Sequence, residues 1–288
     1  MRCPAKLNLT LAVGPPRSDG LHPIASVMVA LQFCDDLHIK RIEGESRFTR
    51  RLAEDAPKPQ PIDWPLEDDL LFRAHALMQA TVGHALPADC ELLKRIPAGA
   101  GLGGGSSNAA GMLVALRDVF ELDMFDDRLI ELGQSLGADV GFLVHALLGR
   151  PAALVTGIGD IVAPLPQLPE FHVVLAFPDG QCPTAAVYQA FDRQPTTADA
   201  SEVDNWAGAW AGADQLPAVH NDLSLAAEQV CPAIRSLFDA ITSQQLEPGL
   251  TGSGSAVFAV VESQEQAVAI ADVLREQGFS ACASAFCP

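Results

Sequence analysis

Residues 97–111 read PAGAGLGGGSSNAAG, and six of these fifteen residues are glycine. The stretch CELLKRI at 90–96 predicts a strand before them, and apolar residues at helical spacing predict a helix over 107–122 after them. Glycine lets a ligand approach the main chain, and the start of a helix offers free N–H groups. This strand, loop and helix therefore favour an anion site, most often one for phosphate.

Several loop types compete for this stretch. A P-loop needs a lysine after its last glycine, and none follows here. The spacing of Gly99, Gly101 and Gly104 matches the dinucleotide pattern, but more helix, DDRLIELGQSL, follows where that fold needs a second parallel strand. The HRD and DFG sequences of protein kinases are absent from the chain. A tight turn with a serine cap remains the plain structural alternative.

The Gly-Leu-Gly-Gly-Gly-Ser-Ser loop resembles the phosphate loop of the GHMP kinases. PAKLNLTL at 4–11 looks like that family's N-terminal motif, and LTGSGSAVFAV at 250–260 looks like its C-terminal glycine motif. The resemblance implies an α+β fold of two domains. These would be a mixed α/β domain carrying the loop at 1–160 and a ferredoxin-like domain at 161–288.

The pattern of elements after residue 171 gives independent support for the second domain. FHVVLAFP predicts a strand and TAAVYQAF a helix, and two helices, near 222–230 and 232–243, follow. SAVFAVV, the helix 263–277 and the strand 279–285 complete a split βαβ pattern. Residues 194–215 are polar and predict a loop.

The first half mixes strands and helices. The alternation in AKLNLTLAV at 5–13 predicts a half-buried strand, and 47–66 predicts a surface excursion rich in Pro and charge. The remaining predictions are strands at 24–33, 37–42 and 152–156, and helices at 69–81, 127–136 and 139–148.

RSDGLH, LGADV, TGIGD and HNDL are similar to one branch of the GHMP kinases, in which the acceptor is a tertiary alcohol that carries a cytidine diphosphate group. The resemblance implies ATP as donor and Mg²⁺ bridging its phosphates, with Ser107 as a possible protein ligand. The implied ATP-binding residues are Lys94, Pro97, Gly99, Gly101, Leu102, Gly103, Gly104, Gly105, Ser106 and Ser107. For Lys94, a solvated charge at the end of a strand is an equal alternative.

Asp139 and Lys6 are the catalytic candidates. The resemblance implies that Asp139 orients or deprotonates the attacking hydroxyl and that Lys6 pairs with it and stabilises negative charge. On the residues alone, Asp139 predicts a helix N-cap and Lys6 a solvated charge on a half-exposed sheet.

The substrate-binding residues implied by the resemblance are Asn8, His22, Asp139, Thr184, Tyr188, Gly252 and Ser253. His22 would read the cytosine edge through its backbone, and Tyr188 would stack on the base. An aromatic residue of the core or rim is an equal alternative for Tyr188, and a simple turn is the alternative for 252–254. Two positions depart from the family pattern: Leu21 stands where tyrosine is usual, and Asp69 where asparagine is usual near the adenine. An ionised Asp69 accepts hydrogen bonds but cannot donate them.

The bulk composition limits the functional classes. The net charge of −18, from 36 acidic and 18 basic residues among 288, disfavours nucleic acid and anionic membranes as partners. Seven cysteines without metal-ligand spacing, no leader and no apolar run of membrane-spanning length favour a cytoplasmic protein. A monomer and a homodimer are both open as its oligomeric state. A GHMP kinase with another acceptor, a catalytically silent sensor and a dehydrogenase remain the alternatives.

Overall fold

The computed structural model describes residues 1–166, 168–195 and 218–288. The chain forms two compact units, each assembled from segments that are separated in sequence. The first unit consists of Met1–Ala5, Phe33–Ala98 and Gly103–Pro151, and the second of Lys6–Gln32, Gly99–Leu102 and the described part of Ala152–Pro288. Residues 6–32 and 99–102 thus belong to the same unit as the C-terminal half, so these units do not follow one cut near 160. The domain boundary at 160 stays a prediction.

The described strands are β1 (Arg2–Asn8), β2 (Thr10–Val13), β3 (Ile24–Arg41), β4 (Arg47–Leu52), β5 (Ala88–Lys94), β6 (Ala152–Thr156), β7 (Ile161–Pro164), β8 (His172–Phe177), β9 (His220–Asn221), β10 (Gly249–Leu250), β11 (Val257–Val261) and β12 (Ser280–Ala285). The described α-helices are α1 (Leu70–Val82), α2 (Gly104–Val119), α3 (Asp126–Leu136), α4 (Ala138–Leu147), α5 (Thr184–Phe191), α6 (Ser224–Val230), α7 (Ala233–Thr242) and α8 (Gln264–Glu276).

In the first unit, β5 pairs antiparallel with the second half of β3, and parallel with β4. Alternate residues of β5 are buried, as the period of a strand requires. Helix α2 packs against α1 and α4, and α3 packs against α4. Helix α2 is buried along most of its length. Its many small residues let the neighbouring helices approach it closely.

The second unit contains an antiparallel sheet in the order β10-β11-β8-β12. Numbered by position in the chain, this is the 2-3-1-4 order of a ferredoxin-like sheet, with α8 packed on β8 and β12. The first half of β3 pairs with β2 and β6, β6 pairs with β7, and β2 pairs in parallel with β9. The expected α+β class with a ferredoxin-like half is therefore confirmed.

The structure corrects several element predictions. The 5–13 segment is two strands, β1 and β2, and both are buried on nearly every residue, so the half-buried strand was wrong. The predicted strands at 24–33 and 37–42 are one strand, β3. Within the predicted surface excursion lies β4, an edge strand whose arginines pointed to a loop. Such charges are common at sheet edges because they discourage pairing with other chains.

The other predicted helices and strands occur within about three residues of their expected bounds. The loop predicted at 194–215 lies almost wholly outside the described residues. No helix in the described ranges is long and apolar enough to cross a membrane. All seven cysteines are free thiols.

Gly111 in α2 shows how tightly the first unit packs. A Cβ built at Gly111 would lie well inside van der Waals contact of Cys3 Sγ in β1. The Cys3 side chain is fully buried, and this burial raises the pKa of its thiol to about 12. Gly105, an exposed residue in the same helix, has its nearest neighbouring atom 3.9 Å from a built Cβ.

We expect Gly111→Ala to lower the free energy of unfolding by about 1–3 kcal/mol, the usual cost of overpacking a core. Gly105→Ala should instead be neutral or stabilise the fold by up to about 1 kcal/mol, since alanine is the better helix former. Urea unfolding measures both. Adding Cys3→Ala to Gly111→Ala should recover part of the loss, and equal stabilities for the two glycine variants would contradict this packing.

Candidate active site

The glycine loop joins β5 to α2. Gly99, Gly101 and Gly103 adopt positive φ angles of 68°, 76° and 68°, which glycine takes at little cost. Helix α2 begins at Gly104, three residues before the predicted start, and Gly103 is its N-cap. Gly104, Gly105 and Ser106 therefore form its first turn, where N–H groups lack partners within the helix. The predicted strand, loop and helix are confirmed, and this end of α2 is suited to an anion.

Ser107 adds an unusual polar atom at the same helix end. Its side chain is wholly buried, and its Oγ has no hydrogen-bond partner among the described residues. A buried hydroxyl without a partner is costly, so it is expected to meet a ligand or an ordered water. The Ser107 hydroxyl is therefore suited to bind a cation, such as Mg²⁺, that accompanies the donor phosphates. No group of three or more His, Cys, Asp or Glu residues in the described ranges is arranged to hold a metal ion.

Lys94 lies at the end of β5 and is only 6% exposed, which excludes a solvated charge. Its ammonium pairs with Asp35 of β3 and donates to Asn108 Oδ1 of α2 at 3.0 Å. A Cβ built at Gly104 would lie 3.2 Å from Lys94 Nζ. The ammonium is therefore held beside the first residue of α2.

Residues 99–102 are fixed by backbone contacts within the second unit. The Lys6 N–H donates to Leu102 O at 2.9 Å, and the Ala256 N–H donates to Ala100 O at 3.0 Å. The Thr251 hydroxyl donates to Gly101 O at 3.2 Å. The loop is thus held between β1 and the turn that precedes β11.

Lys6 and Asn8 lie on one face of β1, as their spacing predicts, but Lys6 is only 4% exposed. Lys6 Nζ donates to Asn8 Oδ1 at 2.6 Å, and Asn8 Nδ2 donates to Ser26 Oγ at 2.7 Å. The Asn8 N–H donates to Thr251 Oγ1 at 3.2 Å. A solvated Lys6 is therefore excluded, since its side chain belongs to a buried polar cluster.

The glycine turn at 251–254 lies against this cluster. A Cβ at Gly252 would lie 3.3 Å from Lys6 Nζ. Asn221 Nδ2 donates to both Leu250 O at 2.7 Å and Gly252 O at 2.8 Å, which fixes the turn. Ser253 Oγ lies 3.0 Å from Thr184 Oγ1 at the start of α5. Several predicted substrate residues thus meet in one unit although the sequence separates them widely.

His22 and Tyr188, also in the second unit, form a ring contact. Their ring centroids are 5.1 Å apart with planes tilted by 42°. His22 Nδ1 lies 2.9 Å from Gly14 O, and Nε2 lies 3.2 Å from Asp192 Oδ1. The His22 imidazole therefore packs against one side of the ring of Tyr188, the only tyrosine in the sequence.

Asp139 is the second residue of α4, and Gly137 is the N-cap of that helix. Asp139 is therefore not the N-cap that its sequence context suggested. Its half-buried side chain is suited to accept a proton or a hydrogen bond.

Comparison with known proteins gives the family. The model of the GHMP kinases N terminal domain matches residues 69–150, and that of the GHMP kinases C terminal matches 205–279. A relative from Variovorax paradoxus, named 4-diphosphocytidyl-2-C-methyl-D-erythritol kinase, is 35% identical over 93% of this chain and 89% of its own. A protein of the same name from Polaromonas naphthalenivorans is 36% identical over 90% and 84%.

A solved structure of 4-(cytidine 5'-diphospho)-2C-methyl-D-erythritol kinase is 31% identical and covers all of this chain and 99% of its own, with a TM-score of 0.82. The chain belongs to the GHMP kinase family. A homoserine kinase from Cytophaga hutchinsonii shares the fold at 17% identity and a TM-score of 0.66. As a GHMP kinase, the protein uses ATP as its phosphate donor, and the dehydrogenase alternative is wrong.

The two departures from the family pattern have different surroundings in this GHMP kinase. Leu21 is 49% exposed, so a larger side chain at this position would not clash with the core. Asp69 is 6% exposed, caps α1 through the Leu71 N–H, and accepts from Arg50 Nη1 and Trp64 Nε1, each at 3.1 Å. The Asp69 carboxylate is therefore already engaged by protein donors.

Some residues of the site had no signal in the sequence reading. Asp35 and Ser26 lie in β3 and looked like ordinary polar residues of a strand. Thr251, Asn221 and Asn108 lie inside motifs of the family, but the motifs alone do not indicate what these side chains contact. Pro97 and Leu102 are buried, so packing accounts for their side chains, and their contact with ATP stays a prediction.

Gly101 lies so close to the 251–254 turn that a substitution there should be costly. A Cβ there would lie far inside van der Waals contact of Thr251 O and 2.9 Å from Gly254 O, whereas one at Gly99 would have no neighbour within 4 Å. Both substitutions cost about 1–2 kcal/mol for a left-handed alanine. Gly101→Ala should lose about 1–3 kcal/mol more through overpacking, and turnover should fall with it.

Urea unfolding and an ATP-dependent activity assay on both variants check this expectation. Gly99→Ala serves as the matched control because it shares the backbone cost but not the clash. Equal losses in the two variants would mean that the contact with Thr251 does not constrain the loop.

Proposed function

We propose that this GHMP kinase transfers the γ-phosphate of ATP to the tertiary 2-hydroxyl of 4-diphosphocytidyl-2-C-methyl-D-erythritol, in non-mevalonate isoprenoid precursor synthesis. The observation that carries the proposal is the whole-chain likeness to kinases of that name, at 35% identity and a TM-score of 0.82. The buried polar clusters around Lys6 and Lys94 support it, because they hold two ammonium groups in fixed positions, as phosphoryl transfer requires.

The donor phosphates are assigned to the loop and the N-terminal turn of α2. The free N–H groups of Gly104, Gly105 and Ser106 would bind phosphate oxygens, and the Lys94 ammonium would add a charge-assisted hydrogen bond. The Ser107 hydroxyl, which has no hydrogen-bond partner among the described residues, would help hold the Mg²⁺ that accompanies the donor phosphates. When bound, the cation neutralises charge on the transferring group.

The acceptor is assigned to Lys6, Asn8 and Asp139. Phosphoryl transfer depends mainly on positioning and on charge stabilisation. In our proposal Asp139 orients or deprotonates the acceptor hydroxyl, and Lys6 stabilises negative charge as it develops. Asn8, whose orientation is fixed by Ser26 and Lys6, hydrogen-bonds hydroxyls of the substrate.

The cytidine end of the substrate is assigned to the second unit. Tyr188 would stack on cytosine while the backbone of His22 reads the edge of the base. Thr184 and Ser253, which contact each other, and Gly252 would bind the rest of the molecule. We further propose that the enzyme acts in the cytoplasm as a monomer or a homodimer.

A second acceptor is favoured by one observation, the exposed aliphatic Leu21 in place of a stacking ring. A panel of alcohols assayed for ADP formation separates the two cases. The proposal expects the highest kcat/KM with the cytidyl-methylerythritol substrate, and it fails if mevalonate or homoserine is the better acceptor. A silent sensor would form no ADP with any acceptor.

Asp139→Asn should lower turnover by at least about 100-fold, as is usual when a general base is lost, while the fold persists. Asp127→Asn is the matched control, because Asp127 is the second residue of α3 and Asp139 the second residue of α4. Both variants should lose only about 0.3–1 kcal/mol of helix-dipole stabilisation. Steady-state kinetics and thermal unfolding check this pair, and near-normal turnover in Asp139→Asn would remove that residue from the chemistry.

Leu21→Tyr should restore an aromatic partner for cytosine and lower KM for the cytidyl substrate by about 5–100-fold, since base stacking is worth about 1–3 kcal/mol. The KM for ATP should not change. Leu225→Tyr, at another exposed leucine, controls for a general surface effect. An unchanged acceptor KM in Leu21→Tyr would argue that position 21 does not face the base.

A further inference from the structure

Asp35 of β3 is a fully buried carboxylate that no sequence motif marks. Its Oδ1 accepts from the N–H groups of Arg95 at 2.6 Å and Ile96 at 2.9 Å. Its Oδ2 accepts from Asn108 Nδ2 at 2.8 Å and forms the ion pair with Lys94. These partners come from the end of β5, from the start of the glycine loop and from α2.

This arrangement satisfies the carboxylate completely. Removing a carboxylate from water is costly, and an ion pair compensates only when further hydrogen bonds occupy the remaining lone pairs. Two backbone donors, one amide donor and one ammonium meet that condition. A buried ion pair is weak evidence for stability, so the better reason for this network is that it fixes the positions of its members.

Lys94 is the member with capacity left for a ligand. A lysine ammonium has three N–H donors. Two are directed to Asp35 and Asn108 Oδ1, and within the described ranges no protein group takes the third. Gly104 lies beside the ammonium and has no side chain to obstruct it. Asp35 and Asn108 thus leave Lys94 with one donor available near the first turn of α2.

We propose that Asp35 is a positioning residue for the donor phosphates. Its carboxylate holds the Lys94 ammonium beside Gly104 and, through the Arg95 and Ile96 N–H groups, fixes the point where the loop leaves β5. Asn108 completes the network from within α2, so strand, loop and helix keep one relative arrangement. This inference rests on the proposed function in one respect, that Lys94 and the loop bind phosphates.

The test compares a nucleotide that carries phosphates with one that does not. Calorimetric titration of Asp35→Asn should show ADP binding weakened by about 10–100-fold, as expected when a charge-assisted contact is lost. Adenosine binding, measured by competition, should be unchanged. Asp36→Asn is the matched control, because Asp36 pairs with the Arg95 guanidinium at 2.5 Å and does not contact Lys94. Asp36→Asn should change the affinity for neither ADP nor adenosine.

A double-variant cycle tests whether Asp35 acts through Lys94. If it does, Asp35→Asn combined with Lys94→Gln should bind ADP no more weakly than Lys94→Gln alone. Should Asp35→Asn fail to fold, Asn108→Ser takes its place. This change removes the amide that accepts from Lys94 and donates to Asp35 but keeps the charge pair, and it should weaken ADP binding about 3-fold while sparing adenosine.

Equal weakening of ADP and adenosine would mean general damage and would overturn the inference. Additive losses in the cycle would equally overturn action through Lys94. A wild-type enzyme that binds ADP but does not phosphorylate the cytidyl acceptor would remove the proposed acceptor only. Selective loss of ADP binding in Asp35→Asn would then still support the role of Asp35.

Discussion

The close approach of Gly101 to the backbone of the 251–254 turn is the constraint on which the arrangement of the second unit's polar residues depends. A side chain at position 101 would collide with Thr251 O, and three hydrogen bonds hold residues 100–102 to β1 and to the 251–256 segment. Residues of the first motif, of the glycine loop and of the last motif of the chain are therefore packed together within the second unit, although they are distant in sequence.

Burial of charged side chains is the second theme of this structure. Lys6 and Lys94 each lie in a polar cluster with almost no exposure to water, and each is held by an asparagine side chain. Buried polar groups are stable only when they are hydrogen-bonded, and a network of such bonds restricts their positions. Because phosphoryl transfer is catalysed mainly by positioning, these clusters would fix the two ammonium groups in place for the proposed reaction.

The sequence predicted the parts of the fold that local patterns encode. The glycine loop between β5 and α2, the helices α1 to α4 and the ferredoxin-like pattern all follow from periodicity and from glycine placement. The burial of Lys6 did not follow, because alternation along a strand shows that two faces exist but not what covers the second. Asp35 was missed for a related reason: its partners at 94–96 and at 108 are distant in sequence, and only folding brings them together. The charged β4 was missed because its arginines are typical of loops as well as of edge strands.

The most direct measurement of the central claim is phosphorus NMR of the enzyme with ATP, Mg²⁺ and 4-diphosphocytidyl-2-C-methyl-D-erythritol. The account predicts a new phosphomonoester signal that grows in equal proportion to ADP, while the diphosphate signals of the cytidyl group stay intact. Formation of ADP with inorganic phosphate alone, or no consumption of ATP, would contradict the assignment of this acceptor.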